Sequence, residues 1–173
     1  MRRLKLYVAV SLDGYLARND SSVDWLFMDQ DYGMRAVLSG VDTVLIGRKT
    51  HDFMVAHGMP AYPGMKNYVF TSASDRDTYA GEVEYVAADP VDFVAGLKQR
   101  PGKDIWLSGG GSLATPLLAA RAVDDILLAV HPRILGEGIP LFAPGLPELP
   151  LTLASHTVYE TGLVSLHYVL AGT

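Results

Sequence analysis

Ile105-Trp106-Leu107 is an apolar run with the length of a buried strand, and behind Ser108 it meets three consecutive glycines, Gly109, Gly110 and Gly111. Ser112 follows, after which Leu113, Leu117 and Leu118 fall on one face of a helix. Glycine adopts positive φ without a Cβ clash, so such a loop lets backbone N–H groups come close to a ligand. The helix that follows aims its unpaired N–H groups and the positive end of its dipole at the same spot. That spot suits a phosphate. A plain turn with Ser112 as the helix cap would require only one or two glycines.

Gly109, Gly111 and Ala114 also satisfy the G-x-G-x-x-A spacing of dinucleotide-binding turns. That fingerprint usually opens a domain, whereas here it follows most of the strands, and Ala129-Val130-His131 close the next strand without an acidic residue. The glycines therefore speak for a phosphate more than for a Rossmann domain. Val44-Leu45-Ile46-Gly47-Arg48-Lys49-Thr50 repeats the strand-glycine-helix logic, with two cations opposing the dipole at the helix start. A bound anion would remove that conflict. A third strand end, Phe70-Thr71-Ser72-Ala73-Ser74-Asp75-Arg76, again offers hydroxyls and a guanidinium. Donors at three strand ends of an open α/β sheet would span a ligand with several phosphates. An arginine and serine group apart from the glycine loop suits the 2′-phosphate that distinguishes NADPH from NADH.

The elements that must position these residues can be read in order. Leu4 to Ser11 is a buried strand, with Leu4, Leu6, Val8 and Val10 on one face and Tyr7 and Ala9 on the other. Asp13-Gly14 marks a turn, which gives Asp13 a role in shape, and Arg18 to Ser22 reads as loop. Val23-Asp24-Trp25-Leu26 leads towards a helix over Tyr32 to Leu38 with Gly40 as its C-cap. Strands are expected at 43–47, 67–71, more weakly 83–86, then 105–107 and 126–130, with helices after Gly47, from Pro90 capped by Asp89 to about Arg100, and after the glycines. Residues 56–63 and 132–150 read as loops, and 151–158 with 164–170 as an antiparallel hairpin. This alternation predicts an α/β fold, a mostly parallel sheet with an antiparallel edge.

At 173 residues, 49% of them hydrophobic, the chain is expected to form a single domain over residues 1–173. A net charge of −5 and scattered basic residues argue against nucleic acid as a partner. Without cysteine there is no disulfide or thiolate chemistry. No apolar run reaches the ~18 residues of a membrane span, so a cytoplasmic protein without a membrane partner is expected. The histidines His51, His57, His131, His156 and His167 lack metal-ligand spacing, so no metal is predicted. His131 reads as a structural histidine, Trp25 as either a packing aromatic or a substrate platform, and Ser108 lies outside any nucleophile elbow.

With these segments in view, the chain resembles the dihydrofolate reductase-like superfamily. The nearest branch is similar to the C-terminal reductase domain of the bacterial riboflavin-biosynthesis deaminase/reductase. The resemblance is carried by 11–17 (SLDGYLA), 24–26 (DWL), 45–50 (LIGRKT), 108–113 (SGGGSL) and 131–142 (HPRILGEGIPLF), in that order, nearly the whole chain. It implies a three-layer α/β/α fold and an NADPH-dependent reductase acting on a small-molecule substrate. Gly47, Arg48, Lys49 and Thr50 would serve phosphates, with Thr71 and Ser72 near the adenosine. Gly109, Gly110, Gly111, Ser112 and Leu113 would cradle the pyrophosphate, Ala9 and Leu16 would flank the nicotinamide, and Ile139 to Phe142 would close over the site. Asp24 and Trp25 would face the substrate. Dihydrofolate reductase proper carries one carboxylate a few residues after a tryptophan. Here Gln30 stands five residues after Trp25, between Asp29 and Asp31. Asp24, Asp29 and Asp31 all stay open as the proton-supplying acid, and a flat heterocycle other than folate is the expected substrate. Alternatives are the 5-amino-6-(5-phosphoribosylamino)uracil reductase itself and a non-catalytic nucleotide-binding homologue. A homodimer through the sheet edge or hairpin is compatible with all three.

Overall fold

The computed structural model describes residues 1–59, 61–72 and 83–171. Strands β1 (Leu4–Ser11), β3 (Val41–Gly47), β4 (Lys66–Phe70), β5 (Val83–Val86), β6 (Asp104–Leu107), β7 (Asp125–His131), β9 (Leu151–Val158) and β10 (Val164–Leu170) form one sheet in the order β5-β4-β3-β6-β1-β7-β10-β9. All neighbours from β5 to β7 run parallel, and β10 and β9 are antiparallel. A second small sheet pairs β2 (Tyr15–Ala17) with β8 (Ile139–Pro140).

Both sheet faces are covered. On one, Leu4, Leu6, Val8 and Val10 of β1 pack with α3 (Pro90–Lys98) and α4 (Gly111–Ala119) through Val94, Leu97, Leu113 and Leu117. On the other, Tyr7, Val44 and Ile46 pack with α2 (Arg48–Ala56) through Met54 and with α1 (Met34–Ser39) through Val37. The alternation read in β1 thus sorts its side chains to two cores. Asp89 caps α3 as expected, its carboxylate accepting from the Val91 and Asp92 N–H groups, and Pro90 takes the first helical turn.

Three expectations need correction. Helix α1 starts at Met34 rather than Tyr32, because Tyr32 (φ 48°) and Gly33 (φ 81°) are left-handed and turn the Tyr32 ring into a small core with Ala129 and Leu163. Helix α3 ends at Lys98, and Arg100 lies beyond it. Residues 139–140, read as loop, are the strand β8, which pairs with β2 at 15–17, a segment given no element in the sequence; both are too short to show a period.

The amino ends of the parallel strands carry charge pairs. Arg3 meets Asp125, Lys5 meets Asp104, Lys98 meets Asp124 and Arg2 meets Asp42. Asp125 is buried and also accepts from His167 at 2.8 Å. Burial pushes its carboxyl up, but Arg3 and His167 outweigh that and hold it below the ordinary value.

A candidate dinucleotide site at the carboxyl edge

Strand β3 feeds α2 and then β4 on its outer side, whereas β6 feeds α4 on the opposite face and then β7 beyond β1. Adjacent strands whose connections leave in opposite directions open a crevice at their carboxyl ends. Gly47 and the glycine loop flank that crevice.

Their approach is close. A Cβ on Gly47 would stand 3.7 Å from the Gly109 carbonyl oxygen and 3.9 Å from the Gly110 Cα. One on Gly110 would stand 3.3 Å from the Thr50 Oγ1 of α2. Gly110, at φ 93° and ψ 102°, is the N-cap of α4, which has no side-chain cap. Ser112 is therefore inside the helix and not its cap. The start of α4 thus lies against Gly47 and Thr50, and the unpaired N–H groups of a helix N-terminus can hold an anion. From the other side a Cβ on Gly111 would meet the Pro140 carbonyl at 3.2 Å. The Leu141 N–H bonds the Gly14 carbonyl at 2.9 Å, and the Asp13 carboxylate accepts from the Ser11 hydroxyl and the Leu135 and Gly136 N–H groups. Asp13 therefore ties the 11–17 turn to 135–141, and both together roof the glycine loop.

The other expected residues are less uniform. Lys49 and Ser72 are exposed and Thr71 is buried, its N–H bonded to Val86; Ala73 to Arg76 lie outside the described residues. Arg48 pairs with Asp52 one turn on, at 2.7 Å, so the conflict between its charge and the helix dipole is met within the helix. A phosphate at Arg48 would compete with that carboxylate. Ala9 and Leu16 are half-buried, and Ala9 pairs in register with Ala129. Both alanines pack in one small cluster with Tyr32, Leu163, Phe27 and Tyr159.

Each of the three candidate acids has a partner of its own. Asp24 is exposed and forks onto Arg18 at 2.7 and 3.2 Å. Its hydrogen bond to Arg18 keeps the carboxyl below its usual value. Asp29 accepts from the Tyr32 hydroxyl and Asp31 from the Arg35 N–H. Trp25 is buried, edge-on to His131 at 5.2 Å, which makes it a packing residue in this conformation. His131 sets Nδ1 against the Ala129 carbonyl at 3.0 Å, so Nδ1 carries the proton; its buried Nε2, like the Trp25 Nε1, has no hydrogen-bond partner among the described residues. Burial lowers its pKa, against the Ala129 bond.

Sequence reasoning missed Tyr62. Its ring packs on Trp106 at 4.5 Å and its hydroxyl lies 2.9 Å from the Ser108 hydroxyl, next to Gly109. Buried Asn67 clamps its loop, accepting from the Tyr62 N–H and donating to the Tyr62 and Met65 carbonyls. The only sequence signal is Asn67 itself, a polar residue inside a buried strand. A separate cleft of about 390 Å³ lies between α1 and the β7-β10-β9 face, lined by Tyr7, Tyr32, Tyr159, Ser155 and His167, away from the glycines.

A family model for the RibD C-terminal domain matches residues 2–165. The chain belongs to that family. Among its relatives, the uncharacterized Bacillus subtilis protein YwjB is 37% identical over 175 residues, covering 98% of this chain and 99% of its own. A Shewanella sp. PV-4 protein named for riboflavin biosynthesis superposes with a TM-score of 0.84 at 24% identity, covering 97% of this chain and 98% of its own. The deaminase/5-amino-6-(5-phosphoribosylamino)uracil reductase of Thermotoga maritima gives 0.74 at 14%, over 98% of this chain and 57% of its own. Dihydrofolate reductase of Enterococcus faecalis, solved with NADP(H), gives 0.71 at 12%, over 98% and 96%. These likenesses show that the chain shares the α/β fold of dihydrofolate reductase, the fold that the opening motifs imply.

Proposed function

We propose that this chain is an NADPH-dependent reductase that passes hydride to a small pterin- or pyrimidine-like heterocycle. The observation that carries the reading is the approach of Gly47 and Thr50 to Gly109, Gly110 and Gly111 at the β3/β6 crevice, a cradle that any Cβ on Gly110 would crowd. NADPH, when bound, supplies the hydride. The chain's own residues do the rest. The α4 N-terminus and the glycine loop hold the pyrophosphate, with Ser112 and Leu113 in the first turn. Gly47, Lys49 and Thr50 serve the neighbouring phosphates, and Arg48, released from Asp52, meets the 2′-phosphate with Thr71 and Ser72 nearby. Ala9 and Leu16 border the nicotinamide. The roof made by 11–17 and 139–142 excludes water from the reacting end.

The family match favours a second, narrower reading, the 5-amino-6-(5-phosphoribosylamino)uracil reductase reaction. It demands an additional phosphate site, for which Arg133, whose carbonyl accepts from the Leu12 N–H, is a candidate, whereas Arg18 is engaged by Asp24. Work in the cytoplasm as a homodimer is part of the same proposal. The test is NADPH fluorescence titration followed by NADPH consumption with a panel of pterins, pyrimidines and quinones. Turnover on one class is expected. Tight NADPH binding without turnover on any would instead support a non-catalytic nucleotide-binding protein, and no binding would refute the reading.

A further inference from the structure

A reductase must deliver a proton as well as a hydride, and the acidic residues expected to do so are exposed and each already holds a partner: Asp24 with Arg18, Asp29 with Tyr32, Asp31 with Arg35. The face of the sheet beside the crevice holds another donor. Side chains alternate along a strand, so Trp106 and Ser108 share a face. Tyr7 lies on that face too, its ring 6.4 Å from Trp106, and Ala9, two residues on, follows it. Tyr62 reaches over this surface from the loop before β4, and its hydroxyl meets that of Ser108 at 2.9 Å.

We propose that Tyr62 is the catalytic proton donor of this reductase, with Ser108 as its positioning and relay partner. The inference rests on the reading that NADPH lies along the glycine loop. As the carbon of the substrate's C=N or C=O bond gains the hydride, the π pair moves to nitrogen or oxygen. That atom takes the Tyr62 proton, and the new N–H or O–H bond replaces the phenolic one. The phenolate is held by the Ser108 hydroxyl, through which water returns the proton. The substrate gains two electrons and one proton with the hydride's hydrogen, and the cofactor is left oxidised.

The structure fits this role in three ways. The Tyr62 ring is fixed by Trp106, whose indole N–H is itself anchored on the Tyr7 carbonyl at 3.0 Å. Its backbone is fixed by buried Asn67. Burial raises the phenol pKa while the Ser108 bond opposes the rise, so the resting donor keeps its proton until charge develops next to it.

The test labels the protein with 3-fluorotyrosine, whose fluorine makes the phenol more acidic than tyrosine's, and follows each phenol by ¹⁹F NMR. The Tyr62 resonance is the one missing in Tyr62→Phe, a variant that retains the ring against Trp106. Saturating NADP⁺, whose nicotinamide ring is cationic, is expected to shift the Tyr62 titration at least threefold in proton affinity towards lower pH. Ser108→Ala should shift it the other way. In turnover of the panel compound that the wild type reduces, Tyr62→Phe should cut kcat about 100-fold with NADPH affinity unchanged. A protein that binds NADP⁺ while the Tyr62 titration stays put overturns the assignment alone, as does full kcat in Tyr62→Phe. A wild type that binds neither NADP⁺ nor NADPH overturns the cofactor reading and this inference with it.

Discussion

Gly110→Ala separates the two jobs assigned to the glycine loop. At φ 93° an L side chain is strained, at a cost of about 1–3 kcal/mol. The new Cβ also stands 3.3 Å from Thr50 Oγ1, a contact relieved by moving the loop or α2 a few tenths of an ångström. In a domain of this size that strain lowers Tm by roughly 2–12 °C. The effect on NADPH is larger, because the methyl intrudes between the α4 N-terminus and the wall formed by Gly47 and Thr50. Loss of two charge-assisted backbone bonds to phosphate, each worth about 1.5–3 kcal/mol, weakens binding more than about 100-fold. Circular dichroism melts measure the first effect and NADPH fluorescence enhancement the second. A folded variant with wild-type NADPH affinity would refute the phosphate cradle. Outright unfolding would show the glycines to be structural.

Further outcomes follow from the same structure. Gly96→Ala, on an exposed turn of α3 where a Cβ meets nothing within 4 Å, should stabilise by about 0.5–1 kcal/mol in denaturant unfolding, through lower chain entropy. Arg48→Ala should weaken NADPH but not NADH, by about 1–2 kcal/mol since its charge-assisted bond is shared with Asp52; Asp52→Ala should tighten NADPH in the same titration. His51 and His131 have pKa values lowered chiefly by burial. The unfolded chain thus takes up protons first, and unfolding free energy should fall as pH drops below about 6.5 towards the lower folded-state values. His131→Asn should remove its share of that slope in urea unfolding measured between these limits. All eight residues of the edge strand β9 are exposed and none carries an acidic, lysine or arginine side chain, an unguarded edge; Leu153→Lys should lower the sedimentation mass from dimer to monomer.

The layers of the fold were legible because β1, β3 and β6 are apolar runs that end in turn residues or glycines, and because Asp89-Pro90 announces a helix start. The close approach of Gly47 to the glycine loop follows from the same pattern, since Gly47 and Gly109 to Gly111 each sit at a strand end. The chemistry beside the loop was not legible. Asp24, Asp29 and Asp31 looked equivalent in sequence, and only the geometry shows Arg18, Tyr32 and Arg35 occupying them. Arg48 looked like an unbalanced charge because the helical i,i+4 neighbour Asp52 was not weighed against it. Tyr62 and Ser108 are 46 residues apart, and no periodicity reports a contact made by a loop over a sheet. The left-handed Tyr32 shortened α1 for the benefit of the core it enters, a tertiary gain that local propensity does not register.

Backbone amide NMR during titration with NADPH tests the central claim most directly. The largest shifts are expected at Gly47, Thr50, Gly109, Gly110, Gly111 and Ser112, at both sides of the β3/β6 crevice, with smaller ones at Ala9 and Leu16. Shifts confined to the cleft between α1 and the hairpin, at Tyr32, Ser155 and His167, with the glycines unmoved, would contradict it.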